Sequence, residues 1–304
     1  MNKDLINLLP RQFVENTIAL CGDKGESWLD VLSQIIKEIE HNWSIKVGRH
    51  FSNLSYNYVA PATYLDGSEA VLKIGLPLSD VEIFGEAAYL KLLDGRGSVR
   101  LLEFDRNRQA ILLERLNPGE NLKIICKDRD ELAVSMVIQM LRSVIREVPN
   151  DAVDFIQLDD WFDGLKRASG TKFPKKYASK ARMFYDKMSL DTKNIFLLHG
   201  DLHHENILSA QREPFLAIDP KGIVGHVGYD MGVFLNNHHW WLDSKPDAKE
   251  RLYAAVNKFS KAFDIDPENI RKWAFAQMVL SWWWTFDEAG VGADELGLSD
   301  IWNV

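Results

Sequence analysis

The chain has 304 residues, of which 46% are hydrophobic and 26% charged, and this is the composition of a globular protein. It excludes a mainly disordered, collagen-like or coiled-coil protein, and the length allows one or two domains. The formal net charge is -8, from 44 acidic and 36 basic side chains. That charge gives no general attraction to nucleic acid or to an anionic membrane, and it favours a cationic partner.

The cysteines and the chain start favour a cytoplasmic protein. Cys21 and Cys126 are too few for a disulfide framework, so we expect free thiols in a reducing compartment. The opening MNKDLINLLPRQ carries charges and lacks the apolar core of a secretory signal. The most apolar late stretch, residues 275–284, falls short of the roughly 20 residues that span a bilayer. We therefore expect no membrane segment.

The N-terminal third predicts a packed helix and then a small sheet. Ser27 and Asp30 mark a helix start, and an apolar stripe at helical spacing continues to His41. A second helix is expected from Ser79 to the glycines at 95 and 97. Short β-like runs predict five strands, at residues 44–51, 56–64, 69–74, 99–104 and 110–113. Asp66–Gly67 is the tight-turn signal between the second and third strands, so we expect antiparallel pairing.

The rest of the chain is mostly helical by pattern. Asn117-Pro118-Gly119 is a loop signal, which places a boundary near residue 116 and predicts domains of residues 1–116 and 117–304. Two short apolar runs, residues 195–198 and 215–218, frame a polar stretch rich in histidine, where we expect the chemistry. Apolar residues at helical spacing predict helices at residues 129–148, 172–190, 228–242, 247–264 and 267–288.

The polar stretch reads LLHGDLHHENIL, residues 197–208, and LAIDPKG follows at residues 216–222. Asp201 precedes the amide Asn206 and the carboxylate Asp219, which ends an apolar strand. An amide and a carboxylate oxygen suit Mg²⁺, and a second carboxylate is left to handle a hydroxyl proton. These side chains indicate phosphoryl transfer, in which catalysis is mostly positioning and charge neutralisation.

The run H-G-D-x-x-x-x-N followed by I-D resembles the aminoglycoside phosphotransferases, relatives of protein kinases. Four segments, EAAYLKLLDGRGSVRLLEFD, ILLERLNPG, LLHGDLHHENIL and AIDPKG, are similar to the streptomycin 6-phosphotransferase and hydroxyurea phosphotransferase family. The resemblance covers residues 50–240 and implies an α+β, protein-kinase-like bilobal fold. Its N-lobe would be a small five-stranded antiparallel sheet with a helix, and its larger, mostly helical C-lobe would complete an ATP cleft.

The resemblance also implies roles for three residues in the C-terminal part of the chain. Asp201 would be the catalytic carboxylate that accepts the proton of the substrate hydroxyl. Asn206 and Asp219 would hold Mg²⁺.

In the N-terminal part of the chain, the resemblance implies that Lys73 of VLKIG contacts the α- and β-phosphates of ATP. This lysine needs an acidic partner. Glu82 and Glu86 are candidates one helical turn apart. Glu82 lies three residues after Ser79 and can be occupied in a capping box, so we favour Glu86. The backbone from Glu114 to Leu116 would meet the adenine edge.

Two positions depart from the family pattern. The first hairpin reads FSNLSYNYV, residues 51–59, without the glycines that kinases commonly use to cover phosphates. We expect Ser52, Asn53 and Ser55 to replace them through hydroxyl and backbone N–H groups. Glu205 stands where a smaller residue is expected, and it either tightens metal binding or points to solvent.

The histidines of the motif offer an alternative. His199, His203 and His204 with Asp201 have the ligand types of a zinc site. The match of Asp201 and its two partners to a magnesium site explains the segment better, and we expect His199 to brace the loop.

Acidic and aromatic residues are the candidates for binding the acceptor. Residues 151–163 contain five aspartates and no lysine or arginine, which suits either a cationic substrate or a solvated helix face. The ten tryptophans belong either to the core or to an aromatic wall for a sugar or cationic ring. The candidate residues are Asp160, Asp163, Trp240, Trp283, Asp287 and Glu288.

The sequence therefore predicts a cytoplasmic, ATP- and Mg²⁺-dependent kinase of a small-molecule hydroxyl, with a cationic, streptomycin-like aminoglycoside as the favoured acceptor. A kinase of hydroxyurea or another small metabolite is one alternative, and a catalytically silent nucleotide-binding sensor on the same fold is another. No nucleic-acid or membrane partner is expected. The oligomeric state is left open.

Overall fold

The computed structural model describes residues 8–54, 56–78, 82–150, 152, 155–242, 245–289 and 301–304, with only the backbone for residues 169, 288 and 289. The chain divides into two compact units, Met1–Gly119 and Glu120–Val304. The division falls at the end of the Asn117-Pro118-Gly119 loop.

Two helices begin the first unit, α1 (Arg11–Cys21) and α2 (Asp23–Trp43). Helix α1 was not predicted, and α2 begins four residues before the predicted start, because Asp23 and Glu26 place negative charge in its first turn. Phe13 of α1 packs edge-on against Trp28 of α2, with ring centroids 6.3 Å apart. The predicted apolar stripe of α2 faces inward and reaches the sheet that follows.

The sheet has five antiparallel strands, as the sequence predicted: β1 (Ile45–Val47), β2 (Tyr58–Tyr64), β3 (Glu69–Ile74), β4 (Leu101–Asp105) and β5 (Ala110–Glu114). Their order in the sheet is β1-β2-β3-β5-β4. Strand β1 is shorter than predicted, because its ladder stops where β2 presents Pro61, which has no N–H to donate. Helix α3 (Glu82–Leu93) connects β3 to β4.

The second unit is built mainly from helices. Its core contains fully buried aromatic side chains of the last three helices, among them Phe234, Phe259 and Trp273. None of the helices among the described residues is long and apolar enough to cross a membrane. The helices are α4 (Leu122–Cys126), α5 (Asp130–Val144), α6 (Leu158–Asp163), α7 (Lys175–Met188), α8 (Gly228–Leu242), α9 (Ala248–Phe263) and α10 (Pro267–Ala289).

Helix α8 begins at a glycine because another element lies against its first residue. A Cβ added to Gly228 would lie 2.2 Å from Cδ1 of Trp273 on α10. Since real Cβ contacts are far longer, only glycine lets α8 start at this point against α10. The start of α8 is therefore fixed by packing.

Two small sheets interrupt the helices. In the first, β10 (Ile223–His226) lies between β6 (Ile156–Gln157) and β7 (Ile195–Leu198), antiparallel to β7 and parallel to β6. In the second, β8 (Ile207–Ser209) pairs with β9 (Phe215–Ala217). The HGDLHHEN stretch is the connection between β7 and β8, so two paired strands fix both of its ends.

Candidate active site

The loop that carries Asp201 is held by a buried carboxylate. Asp230 lies in the first turn of α8 and is almost completely buried. Its Oδ1 accepts a hydrogen bond from the Gly200 N–H at 2.8 Å, and its Oδ2 accepts one from the His199 N–H at 3.1 Å. Gly200 has φ +84°, and a Cβ there would lie 2.3 Å from Cδ1 of Ile223, so glycine is required. Asp230 therefore fixes the backbone immediately before Asp201.

Asp230 was not predicted from the sequence to be a functional residue. The pKa of Asp230 is raised to about 7. Burial is the main cause and the charge of Asp201 adds to it, while the N–H donors of Gly200 and His199 act in the opposite direction. An aspartate near a helix start reads as an ordinary first-turn acid. Only the tertiary pairing of α8 with the loop reveals its role.

His199 braces the same loop, as the sequence predicted. Its buried ring lies between two backbone segments: Nε2 is 3.0 Å from the Ile218 carbonyl oxygen, and Nδ1 accepts the Asp201 N–H at 3.2 Å. Burial lowers the pKa of His199 to about 3, so the ring is neutral and Nε2 carries the proton that it donates to Ile218. The His199 carbonyl also accepts the Lys221 N–H at 2.7 Å. His199 thus joins the Asp201 loop to the segment that carries Asp219.

Asn206 and Asp219 lie at the same end of the β8–β9 hairpin, because Ile207 pairs with Ala217 and the Ile218 N–H donates to the Asn206 carbonyl at 2.9 Å. The Asn206 Nδ2 donates to the backbone oxygen of Asp201 at 3.0 Å and to its Oδ2 at 3.3 Å. The amide Oδ1 is therefore the atom that can ligate a cation. Asp219 adopts φ +55°, a left-handed conformation that aspartate tolerates better than most residues.

The Asp201 carboxylate itself is partly open to solvent, with 38% of the side chain exposed. His203 lies beside it, with Nε2 3.7 Å from Oδ1 of Asp201. An oriented, solvent-accessible carboxylate can accept a proton from a bound hydroxyl.

The other members of the motif face elsewhere. His204 is buried, stacks on Phe234 and lies with Nε2 3.1 Å from Nδ1 of His238. Glu205 is exposed, with Oε1 3.6 Å from Nζ of Lys123. Within the described part of the chain, no group of three or more His, Cys, Asp or Glu side chains is placed to hold a metal ion. The zinc alternative therefore has no support in the structure.

In the first unit, Lys73 of β3 pairs with Glu86 of α3. The Nζ–Oε2 distance is 2.7 Å, and only 9% and 4% of the two side chains are exposed. Glu82, the other candidate partner, is an exposed residue at the start of α3. The structure thus places Glu86, the partner favoured from the sequence, against Lys73, while Ser79, on which the capping argument depends, lies outside the described residues.

The other predicted nucleotide contacts also lie in the first unit. Ser52 and Asn53 form an exposed turn, whereas Ser55 lies outside the described residues. Glu114 ends β5, where its Oε2 accepts the Arg100 N–H at 3.1 Å, and Leu116 is buried.

The predicted acceptor residues divide into paired, buried and exposed positions. Asp163 forms ion pairs with Lys166 at 2.7 Å and with Arg182, and Asp287 pairs with Arg167 at 3.1 Å. These aspartates are therefore already matched by cations of the chain. Trp283 is fully buried, whereas Trp240 and Asp160 are exposed. The side chain of Glu288 is outside the described part of the structure.

Trp284, one of the tryptophans that the sequence offered for an aromatic wall, meets a tryptophan that the sequence did not single out. Trp161 and Trp284 are half-buried and meet edge-on, with ring centroids 5.0 Å apart. Trp161 also contacts Tyr229, with ring centroids at 5.8 Å. Burial raises the pKa of Tyr229 well above its ordinary value, and the charge of Asp201 adds to this effect. Trp161 thus lies between Trp284 and Tyr229, and the electrostatic effect of Asp201 reaches Tyr229.

The Lys73–Glu86 pair should stabilise the first unit through charge compensation. We expect Glu86→Gln to lower the free energy of unfolding by about 3 kcal/mol, since it leaves a buried ammonium without its carboxylate. Urea denaturation measures this loss. Glu15→Gln is the matched control, because Glu15 pairs with Arg11 on the surface, where the side chains are 52% and 91% exposed, and it should leave the free energy of unfolding nearly unchanged. Equal losses in the two variants would contradict a buried pair.

His199 should make folding sensitive to acid. Its pKa is about 3 in the folded protein, against an ordinary value of 6.5, so the unfolded chain binds one more proton between these values. Stability contributed by neutral His199 is therefore present above pH 6.5 and is lost as the pH falls towards 3. We expect His199→Gln to reduce the slope of unfolding free energy against pH in this window by about 1.4 kcal/mol per unit.

The control is His41→Gln, a change at an exposed position. Denaturant titrations from pH 6.5 downwards measure both slopes. If His199→Gln and His41→Gln leave the same slope, the ring of His199 is not held neutral by the fold.

The chain is similar to known phosphotransferases in sequence and in fold. The model of the family described as aminoglycoside/hydroxyurea antibiotic resistance kinase matches residues 47–290. A streptomycin 6-kinase of Streptomyces glaucescens is 22% identical over 94% of this chain and 93% of its own length. A hydroxyurea phosphotransferase of Kitasatospora aureofaciens is 28% identical over 94% of this chain and 83% of its own.

Among solved structures, an amicoumacin kinase superposes with a TM-score of 0.59 at 15% identity, covering 99% of this chain and 94% of that one. This likeness confirms the α+β, protein-kinase-like fold that the sequence predicted. Since the family model spans most of the sequence, the chain belongs to the aminoglycoside/hydroxyurea antibiotic resistance kinase family and is a phosphotransferase.

Proposed function

We propose that this kinase uses ATP and Mg²⁺ to phosphorylate a hydroxyl group of a streptomycin-like aminoglycoside in the cytoplasm. The observation that carries the proposal is the arrangement around Asp201: an accessible carboxylate on a loop fixed by Asp230 and His199, hydrogen-bonded to Asn206, with Asp219 at the same end of the β8–β9 hairpin as Asn206. The cytoplasm supplies ATP and suits Cys21 and Cys126, which are free thiols.

The donor set fits Mg²⁺. Oδ1 of Asn206 and the carboxylate of Asp219 are hard oxygen donors at one end of a hairpin, and Mg²⁺ is usually held by few protein oxygens together with phosphate oxygens. When bound, the ion neutralises charge on the phosphate oxygens. The amicoumacin kinase that shares the fold was solved with AMP-PNP and Ca²⁺, which supports a nucleotide with a divalent cation.

Each proposed catalytic residue has a task that its surroundings allow. Asp201 accepts the proton of the acceptor hydroxyl, whose oxygen forms a bond to the γ-phosphorus while the bond from that phosphorus to the bridging oxygen of ADP breaks. Lys73 donates to the α- and β-phosphates, and Glu86 holds its ammonium group in place. Asn206 orients the Asp201 carboxylate through its Nδ2–Oδ2 hydrogen bond.

A cationic acceptor is favoured by charge and by aromatic surface. Asp160 is exposed on α6 and precedes Trp161, which meets Trp284. A carboxylate attracts ammonium or guanidinium groups through charge, and aromatic rings attract them through cation–π interaction. We therefore assign the acceptor contacts first to these three residues, since Asp163 and Asp287 are occupied by cations of the chain.

Hydroxyurea is the second candidate acceptor. The hydroxyurea phosphotransferase relative is 28% identical to this chain, against 22% for the streptomycin 6-kinase of Streptomyces glaucescens. Hydroxyurea has no positive charge, so it would gain little from Asp160. Comparing the two acceptors therefore tests the assignment of the acidic and aromatic residues.

We expect Asp201→Ala to lower kcat with streptomycin by about 10²–10⁴-fold, because the proton acceptor is removed. A coupled ADP-release assay with Mg-ATP measures the rate. Glu250→Gln, an exposed carboxylate on α9, should leave the rate unchanged. Asn206→Ala should raise the Mg²⁺ concentration needed for half-maximal rate.

Substantial turnover by Asp201→Ala would refute the assigned mechanism. If the wild type is thermally stabilised by Mg-ATP but releases no ADP with streptomycin, hydroxyurea or water, the silent-sensor alternative replaces the proposal.

A further inference from the structure

Residues 301–304 are docked on the helical unit, with Trp302 as their anchor. The Trp302 side chain is fully buried. The Tyr253 hydroxyl donates to the Ile301 carbonyl at 3.1 Å, and Arg271 donates to the carbonyls of Trp302 and Asn303, both at 3.2 Å. The segment is therefore fixed through its backbone to α9 and α10 as well as through its indole ring.

The Trp302 indole begins a directed set of buried hydrogen bonds. Its Nε1 donates to Oδ1 of Asn236 on α8 at 3.1 Å. The Asn236 Nδ2 donates to the Ala274 carbonyl at 2.9 Å and to Oε1 of Gln277, both on α10. An indole can only donate and a carbonyl can only accept, so these partners fix which way the Asn236 amide faces.

The next step leads towards the candidate active site. Gln277 packs against the N-terminal half of α8: a Cβ added to Gly232 would lie 3.2 Å from Cβ of Gln277. Gly232 lies two residues after Asp230, whose carboxylate holds the N–H groups before Asp201. Trp302 is thus connected through the Asn236 and Gln277 amides to the part of α8 that carries Asp230.

Three buried tryptophans on α10 differ from Trp302 in the hydrogen bonding of their indole N–H groups. Among the described residues, Nε1 of Trp273, Trp282 and Trp283 has no hydrogen-bond partner. These rings are buried for their apolar surface, although an unpaired N–H costs free energy. The hydrogen bond of Trp302 is therefore a specific feature of its position and not a general property of the core.

We propose that Trp302 is a positioning residue for phosphoryl transfer: its indole N–H orients the Asn236 and Gln277 amides, which hold α8 against α10 and so fix the first turn of α8 that holds the Asp201 loop. The inference rests on the proposed role of Asp201 as proton acceptor. Trp302 lies in a segment far from Asp201 in sequence and acts only through its partners.

The first test needs no substrate. Trp302→Phe keeps most of the ring but removes the N–H, and Trp282→Phe is the matched control, which removes a buried N–H that has no partner among the described residues. Amide hydrogen exchange of residues 196–206 is measured on the full-length proteins. We expect exchange at the His199 and Gly200 N–H groups to rise about fivefold in Trp302→Phe, because their local opening becomes easier, and to stay unchanged in Trp282→Phe.

The second test uses turnover of streptomycin. We expect Trp302→Phe to lower kcat about tenfold, as for loss of one buried hydrogen bond, with KM for ATP changed by less than about twofold. Gln277→Met should produce the same pattern, and the double variant should be no worse than either single one, since all three interrupt one set of bonds. A merely structural role would lower the free energy of unfolding but leave kcat of the folded protein unchanged.

The outcomes separate this inference from the proposed function. Equal exchange in Trp302→Phe and Trp282→Phe, or additive kinetic losses, would overturn the positioning role. If the wild type phosphorylates no acceptor, the proposed function fails, and the exchange comparison still decides whether Trp302 is coupled to the loop.

Discussion

The second unit depends on one buried carboxylate that replaces missing backbone partners. The N–H groups of His199 and Gly200 lie between the end of β7 and Asp201, where no strand among the described residues supplies an acceptor. A buried N–H without an acceptor costs free energy. Asp230 supplies both acceptors from the first turn of α8. Because Gly228 and Trp273 fix where α8 begins, the position of the loop is tied to the packing of α8 against α10. The candidate catalytic carboxylate is thereby positioned by the helical core, although it lies on a loop.

The first unit uses buried charge in a different way. Lys73 extends from the central strand β3, and Glu86 extends from α3, which connects β3 to β4. Burying either charge alone would be unfavourable, so each fixes the other at a defined place beside the sheet. A lysine held in this way is preorganised to meet an anionic ligand. Both units therefore use a buried carboxylate with defined partners to position a group of the candidate site.

Local signals predicted most of the elements and the chemical motif. The bounds of β3 and α8 match the predicted residues because turn signals and apolar spacing mark their ends clearly. Sequence spacing alone favoured Glu86 over Glu82 as the partner of Lys73, and the structure shows this pair. The three histidines of the motif show the limit of such reasoning: His199 binds backbone, His203 lies beside Asp201, and His204 packs against α8. Their different surroundings depend on tertiary contacts that neighbouring positions in a sequence do not reveal. The same holds for Asp230, Trp161 and Trp302, whose partners lie 30 or more positions away.

The central claim is that Asp201 directs the γ-phosphoryl group to an acceptor hydroxyl. Phosphorus NMR of the wild type with Mg-ATP and streptomycin tests it most directly, because it distinguishes a phosphate ester from inorganic phosphate. The account predicts an ester signal that grows one for one with ADP and is absent with Asp201→Asn. Inorganic phosphate in place of the ester, or an ester formed equally well by Asp201→Asn, would contradict it.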